Sequence, residues 1–282
     1  MSTSPLSTAR SARKALAERL GELRKDAGLT GRELGLRCGW SESKTSRIES
    51  AKTGASDADI RAWCAACDAD ALAPDLVAAN RTVESMYIQW RRRHRAGMRR
   101  AQDDLLPLYE RTGAFRIYCS NVVPGVLQTP PYARSLMAMI TKFQGTPDDL
   151  TAAVASRMER ARVLHQGGRT FAILLEETVL RYRIGSAEVM AGQLGHLLTV
   201  SALPAVSLGI IPSSAERTIW PLEAFYLFDN SLVSVETLTA EINLTAPGEA
   251  RDYIKAFREL TKSAVFGASA RTLISDAVHA IR

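Results

Sequence analysis

No stretch of this 282-residue chain approaches ~18 consecutive apolar residues, so the sequence offers no membrane-spanning helix. Its N-terminus, MSTSPLSTARSARKAL, has no apolar core followed by a small-residue cleavage site, and a cytoplasmic location is expected. Cysteine is scarce: Cys38, Cys64, Cys67 and Cys119 are too few, in so long a chain, for a disulfide scaffold. Metal and catalytic signatures are missing too. Cys64-x-x-Cys67 has no second such pair, and His165, His196 and His279 form neither H-x-x-x-H nor H-E-x-x-H, so neither a metal site nor a cofactor is expected. There is no G-x-S-x-G elbow, P-loop or G-x-G-x-x-G. Glu176 and Glu177 close a β-rich run and read as one exposed acid beside one structural acid. No catalytic residue is nominated, and the chain is not expected to be an enzyme.

What is present is a packed core and an uneven charge. Hydrophobic residues make up 46% and charged residues 23%, ordinary for a globular protein. The net charge of +6 is not spread evenly: residues 1–101 hold 19 Lys/Arg against 12 Asp/Glu, whereas residues 102–282 hold 17 against 18. A basic segment joined to a neutral body suggests either a polyanion-binding module or a solvated basic face.

The basic third reads as four helices. Leu16, Leu20 and Leu23 recur at helical spacing, and Gly28 ends that helix over residues ~13–27. Thr30 with Glu33 forms a capping box for a short second helix stopped by Gly39. Ser41 caps a third, on which Trp40, Thr45 and Ile48 pack inward while Glu42, Ser43, Lys44, Ser46 and Arg47 face solvent. Ser56 with Asp59 repeats the capping box, and Ile60, Trp63, Cys64 and Cys67 share one face of a fourth helix. Both cysteines are expected in the core, with redox sensing as the competing reading.

Two short helices joined by a glycine turn and braced on both sides make a helix-turn-helix. In that motif the second helix enters the major groove of DNA, where bulky side chains would hold it away. Arg47 has the fork to read a guanine, Ser43 and Ser46 suit bases or phosphates, and Lys44 suits phosphate. The residues expected at DNA are Thr30, Arg32, Glu42, Ser43, Lys44, Ser46, Arg47 and Lys52. The run LGELRKDAGLTGRELGLRCGWSESKTSRIES resembles the helix-turn-helix of lambda-repressor/Xre-like regulators over residues 16–68. That resemblance implies an ion pair between Arg24 and Glu49, a dimer and a palindromic operator on double-stranded DNA. Two positions depart from it: Gly31 stands where many members carry a phosphate-binding Gln, and Thr45 replaces Val or Ile.

Residues ~74–100 are expected to form one long helical connector ending in QWRRRHRAGMRR. Its arginines either track the DNA backbone or cover acids of the next domain such as Asp103, Asp104 and Glu110. From about Leu105 the texture becomes mixed. FRIYCSNVV, TFAILLEE, AVSLGIIP, AFYLFD and LVSVETL are β-rich, with three strands clustered near residues 224–244. Helices are expected over Pro130–Ile140, Pro147–His165, Ser186–Ala202, Pro247–Phe266 and Ser269–Ile281, the second capped through Thr146-Pro147-Asp148-Asp149. The fold class is therefore an all-α helix-turn-helix domain (1–73), a helical Arg-rich connector (74–104) and a larger α+β domain (105–282).

VVPGVLQTPPYARSL (Val122–Leu136) and LLEETVLRYRIG (Leu174–Gly185) are similar to segments of the large second domain in actinobacterial Xre-like regulators. The resemblance implies a dimeric repressor whose C-terminal domain binds a small cognate protein encoded nearby, or a ligand. It also leaves open an antitoxin-like protein that uses DNA binding only for autoregulation. Gln128, Tyr132, Arg134, Arg181 and Arg183 are the candidate contacts for that partner or ligand. For the arginines, salt bridges to Glu176 and Glu177 are equally compatible, and for the proline-bracketed loop so is a core plug by Leu127 and Tyr132.

Overall fold

A computed structural model describes residues 5–95 and 97–281, and divides the chain into two compact units, residues 1–88 and 89–282. The first unit is helical: α1 (Pro5–Asp26), α2 (Gly31–Cys38), α3 (Glu42–Glu49), α4 (Asp57–Ala66) and α5 (Ala73–Met86). Its core joins Leu16, Leu20 and Leu23 of α1 to Leu34, Ile48, Ile60, Trp63 and Cys64. The Trp63 indole N–H, buried with the rest of the ring, donates to the Leu20 carbonyl at 2.9 Å, tying α4 to α1.

The caps form where the hydroxyls and acids stand. Thr30 Oγ1 accepts from Glu33 N–H while Glu33 Oε2 accepts from Thr30 N–H, and Ser56 and Asp59 do the same at α4. Ser41 caps α3. Between α2 and α3 the chain reverses at Gly39, whose φ of 73° lies in the left-handed region. Gly35 lets the turn close, because a Cβ there would sit 2.9 Å from the Trp40 carbonyl oxygen.

The connector does not run as one helix. After Met86 come a short strand (Tyr87–Gln89) and the short helices α6 (Trp90–Arg93) and α7 (Arg99–Asp103), then α8 (Leu106–Arg111). The interruption has a cause: the Trp90 backbone N–H and indole N–H donate to Thr239 O at 3.1 Å and Thr237 O at 2.8 Å, binding the chain to the sheet. Arg93, largely buried there, forms an ion pair with Glu241, and Arg99 lies 3.4 Å from Asp103. The side chains of Arg91 and Arg92 lie outside the described residues.

The second unit is an α+β domain, as its sequence texture indicates. Six strands lying wholly within this unit belong to its mixed sheet: β1 (Ala114–Cys119), β2 (Thr170–Glu176), β3 (Val206–Ile211), β4 (Phe225–Phe228), β5 (Leu232–Glu236) and β6 (Ala240–Leu244), in the order β6-β5-β4-β1-β2-β3. β1, β2 and β3 are parallel because helices α9 (Pro130–Gln144), α10 (Leu150–Ala161), α11 (Glu177–Arg181) and α12 (Ala187–Val200) intervene between them. The tightly connected β4, β5 and β6 pair antiparallel. Phe115 and Phe171, in register on β1 and β2, stack at 4.5 Å. The helices α13 (Pro247–Lys262) and α14 (Gly267–His279) close the chain, with Phe257 of α13 and Ile274 of α14 buried.

The cap expected for residues 147–165 is corrected. The helix starts at Leu150, and Asp149 turns its carboxylate to the backbone N–H groups of Met98 and Arg99, both at 2.8 Å. It thereby satisfies the free donors at the start of α7 instead of those of its own helix.

Candidate nucleic-acid interface

The exposed face of α3 follows from its two buried positions. Thr45 and Ile48 point into the core, so Glu42, Ser43, Ser46 and Arg47 are turned outward together. Thr30 and Arg32 at the start of α2, and Lys52 after α3, are exposed as well. Among the described residues Arg32, Arg47 and Lys52 have no ion-pair partner, so their charges are available to a polyanion.

Lys44 is differently placed. Its ammonium lies 2.6 Å from Asp59 Oδ1 and 4.3 Å from the centre of the Trp40 ring. Burial works against the Asp59 carboxylate, but the bonds from Lys44 and Ser56 outweigh it and hold its pKa below the ordinary value. Lys44 therefore joins α3 to α4 within the unit.

Arg24 and Glu49 brace α1 against α3. Arg24 Nε and Nη2 donate to the two Glu49 oxygens at 2.5 and 3.1 Å, and Nη1 donates to the Leu29 carbonyl at 2.6 Å. The bond to Glu49 raises the guanidinium pKa. One arginine thus fixes both the bundle and the turn that presents Thr30. Thr45 also has a reason to be polar: its Oγ1 accepts from the Trp40 indole N–H at 3.0 Å, a bond no valine supplies. A Cβ added to Gly31 would meet Thr45 and Glu42 only at ordinary contact distances, so the missing Gln side chain there is not excluded by space.

Cys64 and Cys67 lie in the core of this unit, and burial raises both thiol pKa values; Cys38, partly buried, is pushed up to about 11. All three are held as thiols at neutral pH.

In the second unit, two partner-facing candidates turn inward. Gln128 and Tyr132 are buried: Tyr132 Oη accepts from the Val123 N–H, and Gln128 donates to Val123 O and accepts from Arg157 Nη1. The loop prolines bring apolar side chains to the core, so the segment is a plug and neither side chain is offered on the surface to a partner protein. Gln193, from α12, completes the lock, donating to Leu127 O and accepting from Thr129 N–H, both at 2.7 Å. Arg134, Arg181 and Arg183 remain on the surface, Arg134 beside Thr151 and Arg181 bridged to Glu177.

Both glutamates at the end of β2 are buried, against the expectation of one exposed acid, and hydrogen bonds hold each of them. Glu176 accepts from Tyr118 Oη and from both Arg217 nitrogens. Glu177 accepts from Ser213 N–H and Oγ and from Arg181, and these bonds, the backbone one first, pull its pKa down to about 2. Arg217 and Gln193 were not legible as partners, since each stands more than 40 residues from the groups it satisfies.

Over residues 15–79 the chain matches the family described as helix-turn-helix domain, and over residues 102–276 the family described as domain of unknown function (DUF5753). No curated protein matches it.

Proposed function

The chain belongs to the family of the domain of unknown function (DUF5753), and because a helix-turn-helix domain precedes that domain we propose that it is a sequence-specific transcription regulator, acting as a dimeric repressor. The observation that carries this reading is α3: an eight-residue helix, anchored by Thr45 and Ile48, that presents Ser43, Ser46 and an unpaired Arg47 on one outward face. Such a helix spans only a few base pairs, too few to select a site alone. Two heads about 34 Å apart would read a palindrome along one face of the duplex. The second unit would hold the copies together and bind a partner or ligand that distinguishes the states of high and low DNA affinity.

The test is binding of the purified chain to DNA upstream of its own gene, competed with random DNA. A preference of ~10³ or more is expected. Arg47→Ala should cost about 1–3 kcal/mol of discrimination, confined to one base position in each half-site. Lys52→Ala, in contrast, should weaken binding to every sequence alike and flatten the salt dependence. Weak binding that is indifferent to sequence and untouched by Arg47→Ala would sink the reading.

A further inference from the structure

The second unit holds two adjoining, partly open cavities of about 430 and 260 Å³, the smaller one lined by the plug loop, which share Leu105, Leu136, Ile140, Arg157, Arg160, Glu236 and Glu241 in their walls. Their lining is mainly apolar, but the Arg157 and Arg160 guanidinium groups stand in both, and Arg93 lines the larger one as well.

Arg160 is only 4% exposed, yet its Nη1 has no hydrogen-bond partner among the described residues. The Tyr109 ring, 4.7 Å from the guanidinium carbon, compensates it in part. Arg157 is satisfied by the neutral amides of Gln102 and Gln128. Burial first, and then the neighbouring Arg160 charge, lower its pKa to about 10, against a smaller opposing pull from Glu236. Two acids stand in the same walls: Glu241 is taken up by Arg93 and Ser234, while the exposed Glu236 carboxylate offsets part of the positive charge at Arg157.

A buried cation left without an anion costs several kcal/mol, so a fold that keeps one in a cavity is short of a negative partner. At the mouth, Met139, Phe143 and Leu238 are 54%, 71% and 73% exposed and line the larger cavity. A charged floor below an apolar wall and an apolar rim matches one chemistry.

We propose that this cavity binds a small amphipathic acid, whose carboxylate, or an equivalent oxyanion, meets Arg160 and Arg157 while its apolar body lies along Leu136, Ile140 and Phe143. Volumes of this order are those of small-molecule sites. The proposal deepens the ligand-binding role given above to the second unit, but the binding itself does not depend on what the first unit does.

Calorimetric titration of the full chain with octanoate, and with octanol as its uncharged counterpart, tests it. Octanoate should bind one per chain, ~10-fold or more tighter than octanol, since a hydrogen bond to a charged group is worth that much. Octyl phosphate in the same series distinguishes a carboxylate site from a phosphate site. Arg160→Met should erase the preference for octanoate over octanol, with the melting temperature checking that the variant is folded. Ile140→Trp, which leaves both arginines in place and fills the cavity, should abolish binding of both compounds. Equal affinity for octanoate and octanol in the unmodified chain, or a preference that survives in either variant, would overturn the proposal. Neither failure touches the Arg47 experiment, which reads DNA alone.

Discussion

Glu177 shows how one residue ties stability to pH. Its folded pKa is about 2, against an ordinary 4.5, because Ser213 and Arg181 donate to the carboxylate. A depressed carboxylate contributes its stabilisation fully above the ordinary value and loses it as pH falls through the folded one. Acid destabilisation of the second unit should therefore set in below about pH 4.5 and be complete near pH 2. Glu177→Gln should be less stable than the parent at pH 7, yet show a shallower loss across that window in urea titrations. Parallel slopes for the two proteins would show that other groups govern the acid limb. At this scale Thr45 makes a second point: what looks in the sequence like an isosteric change from Val or Ile supplies the acceptor for Trp40.

At the scale of elements, the plug loop is held by amides instead of by regular structure. Residues 120–129 contain only the 3-10 turn Gly125–Leu127, so their backbone groups need outside partners. Gln193 serves two of them from α12, and Gln128 serves a third. Gln193→Leu keeps the size of the side chain but strands the Leu127 carbonyl and the Thr129 N–H in the interior. The expected cost is about 2–4 kcal/mol, read as a lower urea midpoint. A change below ~0.5 kcal/mol would mean that the loop finds other partners. Helices α2, α3 and α4 of the first unit need no such help at their N-termini, since their caps lie within three residues of the donors they satisfy.

At the scale of the molecule, the two units have hydrophobic cores with no residue in common. Each core buries its own aromatic and aliphatic centre, Trp63 with Leu20 and Leu34 in one, Phe115 with Phe171 and Ile173 in the other. Calorimetry should resolve two unfolding transitions. Arg24→Met, which removes a partly buried ion pair and the bond to Leu29 O, should lower only the first unit's transition, by about 1–2 kcal/mol. Gln193→Leu should lower only the second's. A single transition moved by both variants would contradict independent cores.

Much of the first unit was legible in the residues themselves. Thr30 with Glu33, Ser41, Ser56 with Asp59, and the Gly39 turn all act over three or four positions, a distance that any helix imposes and that spacing therefore reveals. The outward face of α3 was readable for the same reason, as were the β-rich runs and most helices of the second unit. Only the tertiary structure decided the rest. Asp149 caps a helix 50 residues earlier, Arg217 neutralises Glu176 from 41 residues away, and Arg93 meets Glu241 across nearly the whole second unit. The break in the connector and the cationic cavity over Arg160 belong to this group. Such pairs are set by strand order and sheet register, which place distant residues side by side, and side-chain type alone does not say which acid will face which arginine.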